Sequence, residues 1–219
     1  MVIREHSLLK HPFYQAWQGG LLSLEDLRHY AVQYYPHVAQ FPRYVSAVHS
    51  NISDPALRRL VLENLIEEER GENNHPELWL RFAEGLGLGR EEVTGVLVQP
   101  ETLQCVRTFM ELARKPNPVA GLSALYAYES QIPAVSATKI QGLRDFYGIT
   151  QDSAVEFFRV HEKADVRHSR QERDAVLSLA VSERDREEAI VSADKASQAV
   201  WKLLDGVVRD RHISAACAA

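Results

Sequence analysis

Twice in this chain of 219 residues a side chain suited to capping a helix stands directly before a proline, as Asp54-Pro55 and Asn117-Pro118. Proline at the first helical position has no N–H to leave unsatisfied, and its φ is already helical, so each pair predicts a helix start. ALRRLVLENLIEEER follows the first pair. VAGLSALYAYESQIPAVSATKIQGLRDFYG follows the second, with a bend expected near Pro133. Ser23-Leu24-Glu25-Asp26 has the form of a capping box ahead of a helix running towards His49, bent at Pro36 and Pro42. Asp152 or Ser153 opens AVEFFRVHEKADVRHSRQERDAVLSLAV, and Ser182 caps a last helix through Trp201 and Leu204. Shorter helices are predicted over 5–18, 76–86 and 101–114. Alternation at the strand period is nearly absent, so the chain reads as an all-α bundle with strand content close to nil.

A hydrophobic fraction of 45% supports one core of ordinary size. The expectation is a single domain over 1–210, followed by a flexible tail over 211–219 that includes HISAACAA. The net charge is −5 and the basic residues are scattered, whereas nucleic-acid binding needs a concentrated positive face. No run approaches the roughly 20 apolar residues that cross a bilayer, and MVIREHSLLKHPFYQ lacks a signal-peptide core. A cytoplasmic protein without nucleic-acid or membrane partners is expected. Cys105 and Cys217 suggest no disulfide framework.

The chemistry starts at Val160–His168, VHEKADVRH. At about 100° per residue, His161, Asp165 and His168 lie within roughly 60° of one another around a helix axis. Glu162, Lys163, Arg167, Arg170 and Arg173 fall on the opposite, solvent-suited side. Scattered His and Asp on a helix ordinarily make a polar surface, so the stripe needs partners. Read as one helix, residues 67–76 put Glu68 and His75 seven apart, two turns, and so on one face, while Glu72 and His75 form Glu-x-x-His. Gly71, Asn73 and Asn74 are poor helix formers and point to a backbone adapted to something local. Glu129 lies in LSALYAYESQIPAVSA, the most apolar helix, where a carboxylate is costly unless paired or bound to a cation. Together these give three carboxylates and three imidazoles on three helices, nitrogen and oxygen donors without thiolate, a set suited to iron or manganese. His161 and His168 are about 10 Å apart along a helix, too far for one ion but within reach of two ions about 3.5–4 Å apart with Asp165 between.

Tyr34-Tyr35-Pro36-His37-Val38-Ala39-Gln40-Phe41-Pro42-Arg43-Tyr44, Glu68…His75, Tyr128-Glu129 and His161-x3-Asp165-x2-His168 resemble the heme-oxygenase-like dimetal oxidases. Within that family they resemble the group of the chlamydial protein associating with death domains and its bacterial relatives, through to about residue 205. The resemblance implies a seven-helix bundle shared with pyrroloquinoline quinone biosynthesis protein C and thiaminase-like proteins. It implies Glu68, His75, Glu129, His161, Asp165 and His168 as metal ligands, selecting Glu68 over Glu72. Two metal ions are implied, Fe/Fe or Mn/Fe, with O₂ and an external reductant as co-substrates. A homodimer is expected, and the electron donor is unassigned.

These relatives are implicated in making 4-aminobenzoate for folate from a tyrosine of their own chain, with a lysine as nitrogen donor. The resemblance puts the sacrificial ring at Tyr14, the lysine at Lys139, and a radical relay or second modified position at Tyr128. On the residues alone Tyr14, beside Phe13 and Trp17, reads as a core aromatic, Tyr128 as a packing residue, and Lys139 as a solvated cation near a helix end. Two other functions fit the resemblance: a dimetal oxidase acting on an external fatty acid or amine, and a protein-binding module.

Overall fold

The computed structural model describes residues 2–213, and within them the chain is helical, with no strand. The helices are α1 (Val2–Glu5), α2 (Pro12–Gln18), α3 (Leu24–Asn51), α4 (Pro55–Glu69), α5 (His75–Gly85), α6 (Arg90–Thr94), α7 (Pro100–Ala113), α8 (Pro118–Glu129), α9 (Ile132–Tyr147), α10 (Asp152–Leu179) and α11 (Glu183–Arg211). A 3-10 turn spans Leu8–Lys10. Seven long segments make the bundle when α8 and α9, which follow each other across Ser130-Gln131, are taken as one broken helix.

The start signals act as their chemistry requires. Asp54 accepts hydrogen bonds from the N–H groups of Ala56 and Leu57, and Asn117 accepts from Val119. Ser23 with Asp26, and Ser182 with Asp185, close reciprocal capping boxes. The helical run of α3 continues through Pro36 and Pro42. The bend expected near Pro133 is a break three residues earlier, with Pro133 in the first turn of α9 where its missing N–H is harmless. The single helix expected over 5–18 is instead α1, the 3-10 turn and α2. His11 caps α2 through its side chain, and Pro12 cannot continue a preceding helix. The short α6 had no clear signal beyond Gly89 ahead of it.

One buried core runs through the described residues. α11 packs on α7 and α8; α10 packs on α5, α8 and α9; α3 packs on α4, α5 and α7. The last helix extends to Arg211, and the Ile213 N–H closes onto the Val208 carbonyl, so the chain stays helical one residue into the expected tail. Residues 214–219, with Cys217, lie outside the described residues. No described helix is long and apolar enough to cross a membrane.

Candidate metal centre

Glu68 and His75 do not share one helix. α4 stops at Glu69, Gly71 takes φ 78°, and Asn74 caps α5 by accepting from the Glu77 N–H at 3.0 Å. The poor helix formers therefore build a turn that folds His75 back onto Glu68, with His75 Nδ1 2.8 Å from Glu68 Oε1. Glu72 stays in that turn, exposed. The six side chains come from four helices rather than three: Glu68 from α4, His75 from α5, Glu129 from the end of α8, and His161, Asp165 and His168 from α10.

All six are buried, and they sort into two groups. Glu68, His75 and His161 offer ligand atoms within 4.8 Å of one another, as do Glu129, Asp165 and His168. His161 Nδ1–H donates to the Phe157 carbonyl at 2.6 Å, which fixes the tautomer and leaves Nε2 as a lone-pair donor. The His75 and His161 rings lie 4.2 Å apart. His168 Nδ1 lies 3.6 Å from Asp165 and 3.7 Å from Glu129, while its Nε2 meets Glu67 at 3.1 Å, an outer carboxylate that orients the ring. Glu67 is itself paired with Arg167. Asn64 on α4 donates to Glu129 Oε1 at 3.1 Å.

These groups fit cations better than they fit one another. His168 Nδ1 and Asp165 Oδ2 are buried without a hydrogen-bond partner, and His75 Nδ1, although 2.8 Å from Glu68 Oε1, is not aligned to hydrogen-bond with it; each belongs to one of the two groups. Without cations, burial and then the Asp165 charge push Glu129 up to about 8. Burial, then Glu68, holds Asp165 well above the carboxylate range. Burial and the facing His75 hold His161 well below the usual histidine value. Burial alone would lower His75, but the nearby Glu68 carboxylate together with the Asp165 and Glu67 charges outweighs it, and the value is raised. Divalent ions would reverse the carboxylates' preference and hold them ionised.

A small cavity of about 10 Å³, room for one water-sized body, lies against Glu68, His75, Glu129, His161, Asp165 and Tyr128. From Tyr128 a line of phenols leads away from the carboxylates. The Tyr34 hydroxyl donates to that of Tyr128 at 3.1 Å, and the Tyr34 and Tyr30 rings are 5.1 Å apart. Tyr30 Oη accepts from Lys139 Nζ at 2.5 Å. Lys139 is not a solvated cation: it is 4% exposed, and its Nζ lies 4.9–5.6 Å from the ring centres of Tyr14, Tyr30, Tyr34, Trp79 and Phe158. Burial holds its pKa well below the usual lysine value. Tyr14 is fully buried, its hydroxyl facing that of Tyr30 outside good hydrogen-bond geometry, and burial raises its pKa.

The sequence assigned no role to Tyr30, Tyr34, Asn64 or Glu172, although Tyr34 stands in the motif that carries the resemblance. The first three carry no local signal, because their partners are far away in the chain. Glu172 did have one: 161, 165, 168 and 172 continue a single stripe at steps of four, three and four.

Over residues 28–201 the chain matches the family described as iron-containing redox enzyme. It is 42% identical to a 4-aminobenzoate synthase of Nitrosomonas europaea, over 94% of this chain and 87% of that one. It is 38% identical to a 4-aminobenzoate synthase of Chlamydia muridarum, over 93% of this chain and 86% of that one. In fold it superposes on a TenA homolog from Pseudomonas syringae pv. tomato with a TM-score of 0.82 at 17% identity, covering 94% of this chain and 88% of that one. With the N/O donor set buried among its helices, the chain belongs to the iron-containing redox enzyme family.

Proposed function

We propose that this protein makes 4-aminobenzoate from its own Tyr14, with Lys139 as the nitrogen donor and two metal ions, Fe/Fe or Mn/Fe, as the oxidising centre. The product is suggested by the relatives of Nitrosomonas and Chlamydia. The ring and Cβ of a tyrosine carry the carbon skeleton of 4-aminobenzoate, with oxygen at the position where nitrogen must go. The observation that carries the reading is the Lys139 amine: buried, without a carboxylate partner among the described residues, and 5.4 Å from the centre of the Tyr14 ring. An amine kept unprotonated there has the lone pair that a nitrogen donor needs.

Glu68, His75 and His161 would hold one ion, and Glu129, Asp165 and His168 the other. An ion pair so held, given O₂ and electrons from a reductant, supplies the oxidising power. Everything else is work for this chain's side chains. Tyr128 lines the cavity beside the ligands and is placed to be oxidised first. Tyr34 can then hand its hydroxyl hydrogen atom across 3.1 Å to an oxidised Tyr128, which restores the Tyr128 phenol and passes the oxidised state inward. Tyr30 continues the path to Lys139 and Tyr14. The aromatic walls exclude water, which would otherwise quench an oxidised phenol.

A dimetal oxidase for an external fatty acid or amine needs room for that molecule beside the ions. Drug-sized ligands occupy pockets of several hundred Å³, far more than this cavity of about 10 Å³. Ring-labelled tyrosine separates the two. Protein grown with the label, then given iron, reductant and O₂ with no aromatic additive, should release labelled 4-aminobenzoate and lose mass in the peptide carrying Tyr14. Tyr14→Phe and Lys139→Arg should each release none. Undiminished product from either variant, or unlabelled product, would sink the self-consumption reading.

A further inference from the structure

Glu172 stands one turn beyond His168 on the stripe of α10 that carries His161, Asp165 and His168. It is 5% exposed, and neither carboxylate oxygen has a hydrogen-bond partner. Its surroundings offer little comfort to a charge: Leu57, Leu60, Val61, Leu122 and Ala175 line the small cavity it faces, with Asn64, His168 and Gln171 as the polar groups of that lining. Asn64 spends its amide hydrogens on Glu129. No lysine or arginine pairs with Glu172 among the described residues. A carboxylate buried with both oxygens unmet is costly as an anion, and either a proton or a cation relieves it.

Resting on the dimetal reading above, we propose that Glu172 is a ligand of the second ion, joining Glu129, Asp165 and His168. Charge balance points the same way. Two divalent ions bring four positive charges; Glu68, Glu129 and Asp165 bring three negative ones, which leaves +1 in a dry interior. Glu172 makes the sum zero. Glu67 does not alter it, because Arg167 already pairs with that carboxylate. The two ions then have unlike surroundings: one carboxylate and two imidazoles for the first, three carboxylates and one imidazole for the second. The second is the harder, more anionic position.

Glu172→Gln keeps the shape and removes the charge, so metal retention reads the proposal without reference to activity. Wild-type protein and the variant, loaded with Fe(II) without oxygen and desalted, are analysed for iron per chain. The expected result is two ions for wild type and one for the variant, with at least a tenfold loss of affinity at the second position. Crystals of the loaded wild type give an independent reading: the anomalous peak near Glu129 should lie about 2.0–2.2 Å from a Glu172 oxygen. Two ions in the variant with affinity unchanged, or an ion beyond about 3 Å from Glu172 in the wild type, overturns the inference and leaves the dimetal reading standing. Wild type that retains no second ion overturns both.

Discussion

Replacing Lys139 with methionine tests the state of the amine directly. Methionine fills nearly the same volume, suits an aromatic surround, and cannot take up a proton. Two effects compete over the lysine. Five aromatic faces near Nζ favour an ammonium by about 0.5–2 kcal/mol per good contact, while removing that charge from water without a carboxylate costs several kcal/mol. Desolvation dominates here, and the folded pKa lies well below 10.5. In the unfolded chain the same amine titrates near 10.4. Between the two values the unfolded state holds one more proton than the folded state, so stability rises with pH. Above the unfolded value the dependence vanishes.

The size follows from the unfolded limb alone. With the folded amine already neutral, raising the pH from 9 to 10 should stabilise wild type relative to Lys139→Met by about 1.2 kcal/mol, against a ceiling of 1.36 kcal/mol for a whole proton over one pH unit. Urea unfolding of both metal-free proteins at pH 9 and 10, without oxygen, measures this difference of differences. The buried tyrosines and Cys105 also titrate differently on unfolding, but they are common to both proteins and cancel. Parallel stability curves across this interval would mean a charged ammonium inside the aromatic box. Such a group has no lone pair, and Lys139 as nitrogen donor would fail with it.

Tyr34→Phe deletes the hydroxyl that donates to Tyr128. Stability should fall by about 1 kcal/mol and metal content should not change, while mass spectrometry should show Tyr14 consumed at least tenfold more slowly; an unchanged rate removes Tyr34 from the path. Self-consumption also leaves a trace in the spent protein. Loss of a fully buried Tyr14 ring should lower stability by about 3–5 kcal/mol, as large-to-small aromatic truncations do, and calorimetry that finds spent and fresh protein equally stable contradicts removal of that ring.

Local signals were readable because they depend on neighbours in the chain. Asp54-Pro55, Asn117-Pro118 and the Ser23 box complete their hydrogen bonds within three residues. The stripe of α10 was readable because helical period alone puts its members on one side. The same period misled at Glu68 and His75, whose seven-residue spacing fits two turns of a helix; Gly71 and the Asn74 cap, with Pro76 behind it, end that helix instead. Lys139 was misread for a different reason. Its desolvation comes from Tyr14, Tyr30, Tyr34, Trp79 and Phe158, on α2, α3, α5 and α10, and no window around residue 139 contains them. The Tyr34–Tyr128 bond likewise spans 94 positions.

The break between α8 and α9 links the two halves of the site. On one straight helix Glu129 and Lys139 would be about 15 Å apart along the axis and point roughly 80° apart, directions fixed by pitch alone. Ending α8 at Glu129 and restarting at Ile132 frees each from the other: Glu129 faces the α10 stripe, and Lys139 faces the aromatic box. Gln131, within the break, donates to the Ala127 carbonyl and accepts the Leu8 N–H, both at 2.8 Å. The turn that precedes α2 is thereby tied to the break itself. Tyr14 on α2 and Lys139 on α9 are positioned from one joint, and Tyr128 sits on its other arm, beside the carboxylates. A ring that is to be consumed must be held against both its oxidant and its nitrogen source, and a broken helix meets both demands with a single kink.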